Sequence, residues 1–356
     1  MGSFKRITLK DIARETGVSH VTVSLALRHH SSIPASTRGR IEAAAAQLGY
    51  RPDPVLAALN TYRIANQSTH YQANLGWIEI GPEGTPGMSE KTDTEYYRFW
   101  CGARDRASEL GYKLEVFKLP DPRTGARALS RLLDRRRIQG LLLAPLPPGV
   151  ETPDLDWNLF STVAMGFSHR PIFNLICSSQ HRNAREAARK LRERGYKSLG
   201  LLTWEDIDWR TDFNFSAGFW AEQTSAKLKP HILDLPEHPH VKRHGTLIRR
   251  WLEKNKIDAV VTPYIPLTLP VLGKLGFRIP EDIALATFSY LPQFPEQAGI
   301  DQLPEVSGKA AVNLLAGLLH RNERGLPSPP LRVFIDGCWA DGALVPDRAP
   351  LSGVSK

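Results

Sequence analysis

From Leu9 onward, apolar residues recur three and four positions apart within short polar stretches, the spacing of helices that bury one side. Leu9–Glu15 reads as one short helix with Ile12 and Ala13 inward. His20 to about Leu27 reads as a second, with Val23 and Leu27 on its inner face. Ala35 to Leu48 reads as a third, striped by Ile41, Ala44, Ala45 and Leu48 and stopped by Gly49. Beyond about Asn74 the texture changes. Short apolar runs, the mark of buried strands, occur at 75–80, 113–117, 140–144, 161–165, 199–202, 259–261 and 283–286. Helical stretches alternate with them at 97–110, 123–136, 183–194, 246–254 and 309–319. Alternation at this spacing predicts parallel βαβ units, whose ligands bind beyond the carboxyl ends of the strands.

Local chemistry sharpens the head segment. Thr8 precedes the first helix with Asp11 three residues on, the pattern of a capping box. Thr16-Gly17-Val18 is a tight turn in which glycine takes positive φ without a Cβ clash. Ser19 then caps the second helix. Two short helices joined by a glycine turn form a helix-turn-helix, whose second helix enters the major groove of DNA. Tyr50-Arg51-Pro52-Asp53-Pro54 breaks the pattern, and Val55-Leu56-Ala57-Ala58-Leu59 is a helix too short to stand alone in water. It needs DNA or a partner chain to order it.

Charge supports this reading. Residues 1–63 hold nine basic and four acidic side chains and so carry +5 of the chain's +9. A basic segment ahead of a near-neutral body is an electrostatic footprint for phosphates. The 356 residues, 42% of them hydrophobic, suffice for two or three domains. No apolar run approaches a membrane span and the N-terminus has no secretory core, so the expected location is the cytoplasm, at the nucleoid. Three cysteines, Cys101, Cys177 and Cys338, show no metal-like spacing, and no phosphate loop or catalytic constellation is present. No metal, cofactor, membrane contact or enzymatic activity is expected.

The run ITLKDIARETGVSHVTVSLAL, followed by TRGRIEAAAAQLGYRPDPVLAAL, resembles the head of the lac repressor (LacI/GalR) family over about sixty contiguous residues. The resemblance implies that His20 and Val21 meet base edges, while Thr8, Ser19, Thr22, Ser24 and Thr37 hold phosphates, which position without specifying. Leu25 stands where many relatives carry a guanine-reading arginine; leucine can only pack on a thymine methyl. Arg28 and Tyr50 complete the residues expected against DNA. Leu59 matches the leucine that the family wedges into the minor groove, with Val55 and Leu56 pairing the hinge helices.

Weaker landmarks extend the resemblance: Gly102 with Glu109-Leu110-Gly111-Tyr112, Arg194 to Leu199, and Gly276 to Ala284. They imply an N-terminal all-α helix-turn-helix domain (1–50), a hinge helix and linker (51–73), and an α/β two-lobed periplasmic-binding-protein-like domain (74–345). A tail (346–356) follows. The lobes are expected to exchange chain near Cys177, Gln302 and Pro330. The polar groups with which the family grips sugars are replaced: Phe215 for an arginine, Pro263-Tyr264 for an Asn-Asp pair, Ser289 for an acid. Tyr96, Trp204, Trp209, Arg210, Asp212, Phe215, Tyr264, Ser289 and Tyr290 are the expected effector residues, suited to a carbohydrate or an aromatic ligand. The implied function is a dimeric regulator, a repressor by resemblance, bound to pseudo-palindromic double-stranded operator DNA and controlled by a small molecule. A constitutive regulator with a dead cleft, and a solute-binding protein on the same fold, remain alternatives. The tail lacks a leucine-heptad helix, so a homodimer is expected rather than a tetramer.

Overall fold

A computed structural model describes residues 7–27, 33–50, 73–81, 95–147 and 149–348. The head holds three helices: α1 (Leu9–Thr16), α2 (His20–Leu27) and α3 (Ala35–Gln47). Ile12, Val23, Ala26, Ile33, Ile41, Ala44 and Ala45 form its small core. Ala26, not Leu27, is the fully buried residue of the last turn of α2, and Leu27 is only partly covered. The caps are as the sequence implies. The Thr8 amide and hydroxyl both donate to the Asp11 carboxylate, at 2.9 and 2.7 Å. Gly17 sits at φ +68°, and its amide closes α1 on the Ala13 carbonyl. The Thr22 amide donates to the Ser19 hydroxyl at 3.0 Å, fixing the start of α2.

The body consists of two six-stranded sheets of matching order. The first contains β1 (Ala73–Ile80), β2 (Tyr112–Leu119), β3 (Gly140–Leu143), β4 (Ser161–Met165), β5 (Asn174–Ser178) and, from far along the chain, β11 (Arg332–Ile335). Its order is β11-β5-β4-β3-β1-β2. The second contains β6 (Leu199–Trp204), β7 (His231–Leu235), β8 (Ala259–Thr262), β9 (Ala284–Thr287), β10 (Ala298–Asp301) and β12 (Cys338–Ala340), in the order β12-β10-β9-β8-β6-β7. Among the described residues all pairings are parallel, as expected of βαβ units, except β10 with β12, which is antiparallel. Each sheet reverses direction around its first strand, which places a crevice at the carboxyl ends.

The intervening helices are α4 (Glu95–Glu109), α5 (Pro122–Arg135), α6 (Gln180–Glu193), α7 (Glu205–Arg210), α8 (Asn214–Ser225), α9 (Val241–Asn255), α10 (Ile265–Lys274) and α11 (Pro304–Arg321). The chain leaves the first lobe after β5, returns between β10 and α11, and leaves again between β11 and β12. The first two crossings fall where the sequence placed them. The third is at Asp336-Gly337 rather than near Pro330, because β11 first completes the edge of the first sheet against β5. α11 therefore packs on α4. A Cβ on Gly102 would lie 2.0 Å from the Glu305 carbonyl oxygen, and one on Gly308 would lie 2.2 Å from that of Phe99, so only glycines permit the approach. The Arg348 guanidinium stacks over Tyr196 at 4.6 Å, so the second lobe holds the chain to at least that residue. Among the described residues no helix is long and apolar enough to cross a membrane.

Candidate functional site

The head presents the outer face of α2. His20 is exposed and Val21 is 53% exposed at the first turn, outside the small core. Leu25 is different: it is half-buried and packs against that core, as does Tyr50. Of the three residues expected to read bases, His20 and Val21 are therefore the exposed ones. Ser19 and Thr22 are joined hydroxyl to hydroxyl at 2.9 Å, at the amino end of α2 where exposed amides favour an anion. Thr8 caps α1, and Thr37 is half-buried in the first turn of α3. Arg28, Val55, Leu56 and Leu59, and with them the hinge, lie outside the described residues.

The second candidate site lies between the lobes. The carboxyl ends of the two sheets face a cavity of about 640 Å³. Six of the nine residues expected there line it: Tyr96, Trp204, Arg210, Phe215, Tyr264 and Ser289. Trp204 ends β6, Tyr264 follows β8 and Ser289 follows β9, as the strand-end rule requires. Phe215 stacks flat on Phe288 with ring centres 4.3 Å apart, so only one of its faces is open to a ligand.

Three expectations do not hold. Trp209 is half-exposed outside the cavity, with the Arg170 guanidinium 5.9 Å above its ring. Asp212 lines a separate cavity of about 120 Å³ beside Arg170 and Arg332. Tyr290 is not in the lining; its amide is tied to the Ile300 carbonyl at 2.9 Å. For Asp212 the reason is local: α7 stops at Arg210, and Asp212 and Phe213 take positive φ, between the lining residues Thr211 and Phe215.

Several lining residues were missed, including Glu95, Phe99, Pro145, Ser168, Ser178, Gln180 and Gln302. Pro145 and Ser168 follow strands read correctly from the sequence, so the strand-end rule, applied to every strand, marks them. Glu95 follows no strand and carries no such signal, and Gln302 follows β10, a strand the sequence did not reveal.

The polar groups of the cavity form two clusters. Arg210, with a side chain only 12% exposed, donates to the Leu146 carbonyl across the cleft at 2.5 Å and faces Asp206 at 3.8 Å. Its Nε is buried without a partner, as is Oε1 of Gln180. At the other cluster, the Gln302 amide donates to the Ser289 hydroxyl at 2.9 Å. That hydroxyl also bonds the Glu95 carboxyl, which burial pushes up to about 7 although Ser289 and Arg98 favour its charged form. Burial also raises the thiol of Cys177, and Glu95 adds to the rise, so it lines the cavity as a neutral group.

The described residues thus comprise a helix-turn-helix head and a two-lobed α/β body with a cavity between the lobes. Residues 8–53 match the family model described as "Bacterial regulatory proteins, lacI family". Over 199 residues the chain is 26% identical to the HTH-type transcriptional repressor PurR of Pectobacterium carotovorum subsp. carotovorum (strain PC1), a match that covers 55% of this chain and about half, 53%, of that relative. A longer match, 24% identical and covering 92% of each chain, is to the HTH-type transcriptional regulator Rv3575c of Mycobacterium tuberculosis (strain ATCC 25618 / H37Rv). The fold is shared with the lac repressor dimer bound to operator and the anti-inducer ONPF, at a TM-score of 0.53 and 18% identity, covering 96% of this chain and all of that one.

Proposed function

We propose that this protein is a transcription regulator, a repressor in its ground action. It binds a pseudo-palindromic operator as a homodimer in the cytoplasm, at the nucleoid, and a small molecule in the interlobe cleft sets its affinity for DNA. The observation that carries the reading is the exposed first turn of α2, His20-Val21, on a capped helix-turn-helix whose core is otherwise closed. Two identical heads on a two-fold dimer call for two half-sites related by the same symmetry. Control by a ligand requires that it bind the DNA-competent and DNA-incompetent forms unequally. A cavity of about 640 Å³ that side chains leave open speaks for a working ligand site over a collapsed one.

The test is operator selection from random DNA with the full-length chain, then fluorescence anisotropy on the selected site. Expected is tight binding that falls steeply with salt, as counterions are released from phosphates. Removing residues 1–60 is expected to abolish it while the two lobes keep their melting transition. Specific binding by the truncated protein would overturn the assignment of DNA recognition to the head.

A further inference from the structure

At one end of the cleft, carboxylates outnumber cations. Arg98 on α4 bonds two of them at once, Glu305 through Nε at 2.6 Å and Asp301 through its two terminal nitrogens at 3.2 and 3.1 Å. That guanidinium is fully used, and Glu95, one turn before it, is left as a third carboxyl around a single cation. The other acids of the lining are matched: Asp206 with Arg210, and Glu237 with Arg243. With Glu95 ionised this cluster holds three carboxylates to one cation, and Glu95 is the carboxyl to which Arg98 makes no hydrogen bond. The walls beside it are aromatic and apolar, with Tyr96, Phe99, Trp204 and Tyr264 among them, and the Gln180 carbonyl oxygen waits unpartnered for a donor.

The geometry points to a ligand that carries a protonated amine on an apolar or ring-shaped body, with the ammonium held by Glu95 and the body laid against the aromatic wall. This rests on the effector reading above and adds its chemical class. A neutral polyol would leave the local charge deficit in place, and an anion would deepen it. An ammonium reduces the deficit and is also attracted to the faces of the aromatic rings. The raised Glu95 carboxyl fits a site awaiting a cation. The groups facing it are Arg98 on its own helix, Ser289 after β9, Asp301 on β10, Glu305 on α11 and Cys177 on β5.

The test is isothermal titration of the full-length protein with two matched pairs: tyramine against tyrosol, and 6-amino-6-deoxyglucose against glucose. Expected is that at least one amine binds ten-fold or more tightly than its hydroxyl partner at pH 8. Its affinity should fall about ten-fold at pH 6, since an ammonium requires the ionised carboxylate and a group titrating near 7 is mostly neutral there. Glu95→Gln should erase the preference, with an unchanged melting transition as the control on folding. A hydroxyl partner that binds as tightly as its amine, a preference that survives Glu95→Gln, or failure of both amines would each overturn the amine assignment. The effector reading is judged separately, by whether a panel of neutral sugars raises the melting temperature; a sugar that does so while both amines fail leaves the cleft standing and removes only its proposed ligand class.

Discussion

At the scale of single residues, two side chains have consequences that can be measured. His169 is buried in the first lobe, with Nε2 against the Ala144 carbonyl at 2.7 Å and Nδ1 against the Thr152 hydroxyl at 3.2 Å. Burial drives its pKa down from 6.5 to about 4, and the Arg170 and Arg210 charges push the same way. A histidine depressed in the folded state contributes stability that is fully present above 6.5 and is lost as pH falls toward 4; the limit here is roughly 3 kcal/mol. Glu95 has the opposite sign. Its folded value lies above the unfolded one, so its contribution is lost as pH rises from about 4.5 to about 7. Between pH 4.5 and 6.5 the two oppose each other, and His169→Gln should leave a protein whose melting temperature responds less to acid than wild type does. Equal acid sensitivity in the two proteins would refute the assignment. In the head, Val21→Ser should change the preferred base at one half-site position by about 1–3 kcal/mol, read by anisotropy on base-substituted operators. Leu25→Ala should act instead on the melting temperature of the head, because that side chain packs on the small core.

At the scale of elements, the close approach of α4 and α11 depends on two glycines that meet backbone to backbone. Gly102→Val should force the helices apart and destabilise the first lobe by about 1–3 kcal/mol or more. The same change at Gly39, on the exposed side of α3 with open space around it, should cost little beyond helix propensity. Thermal denaturation of the two variants decides the matter, and similar losses would mean the interhelical contact is slack. These elements also show how far the sequence could be read. Strands such as 140–143 and 161–165 were legible because they are buried throughout and mostly apolar, as strands covered on both faces tend to be. β5 and β10 were not, since Asn174-Leu-Ile-Cys-Ser and Ala298-Gly-Ile-Asp are short and carry polar ends. The edge strands β11 and β12 were missed for a related reason: one-sided cover leaves only a weak pattern. α8 was hidden because Phe215, Phe219 and Trp220 make it apolar on more than one side. The cleft followed the same logic. Residues following a legible strand could be placed, whereas Asp212 was misplaced because nothing in its spacing announces the left-handed turn at Asp212-Phe213.

At the scale of the molecule, α7 and the turn after it are where the second lobe grips the first. Arg210 holds the Leu146 carbonyl, Arg170 covers Trp209, and Asp212 shares a small cavity with Arg170 and Arg332. These contacts exist only while the lobes are closed on this side, so they bias the closed form whether or not a ligand is present. A ligand held by residues from both lobes biases the same form, and two influences on one equilibrium act in the same sense. Trp209 makes the cleaner test because it lies outside the ligand cavity, so its loss removes closure without removing a ligand contact. Trp209→Ala is expected to weaken ligand binding three- to ten-fold. It should also shift the affinity of the unliganded protein for its operator in the direction opposite to that produced by ligand in wild type. Measuring operator affinity for wild type with and without ligand, and for Trp209→Ala without it, provides the comparison. If the substitution and the ligand moved operator affinity the same way, lobe closure would not be the coordinate that connects cleft to head, and the coupling would have to run through contacts other than those made by α7.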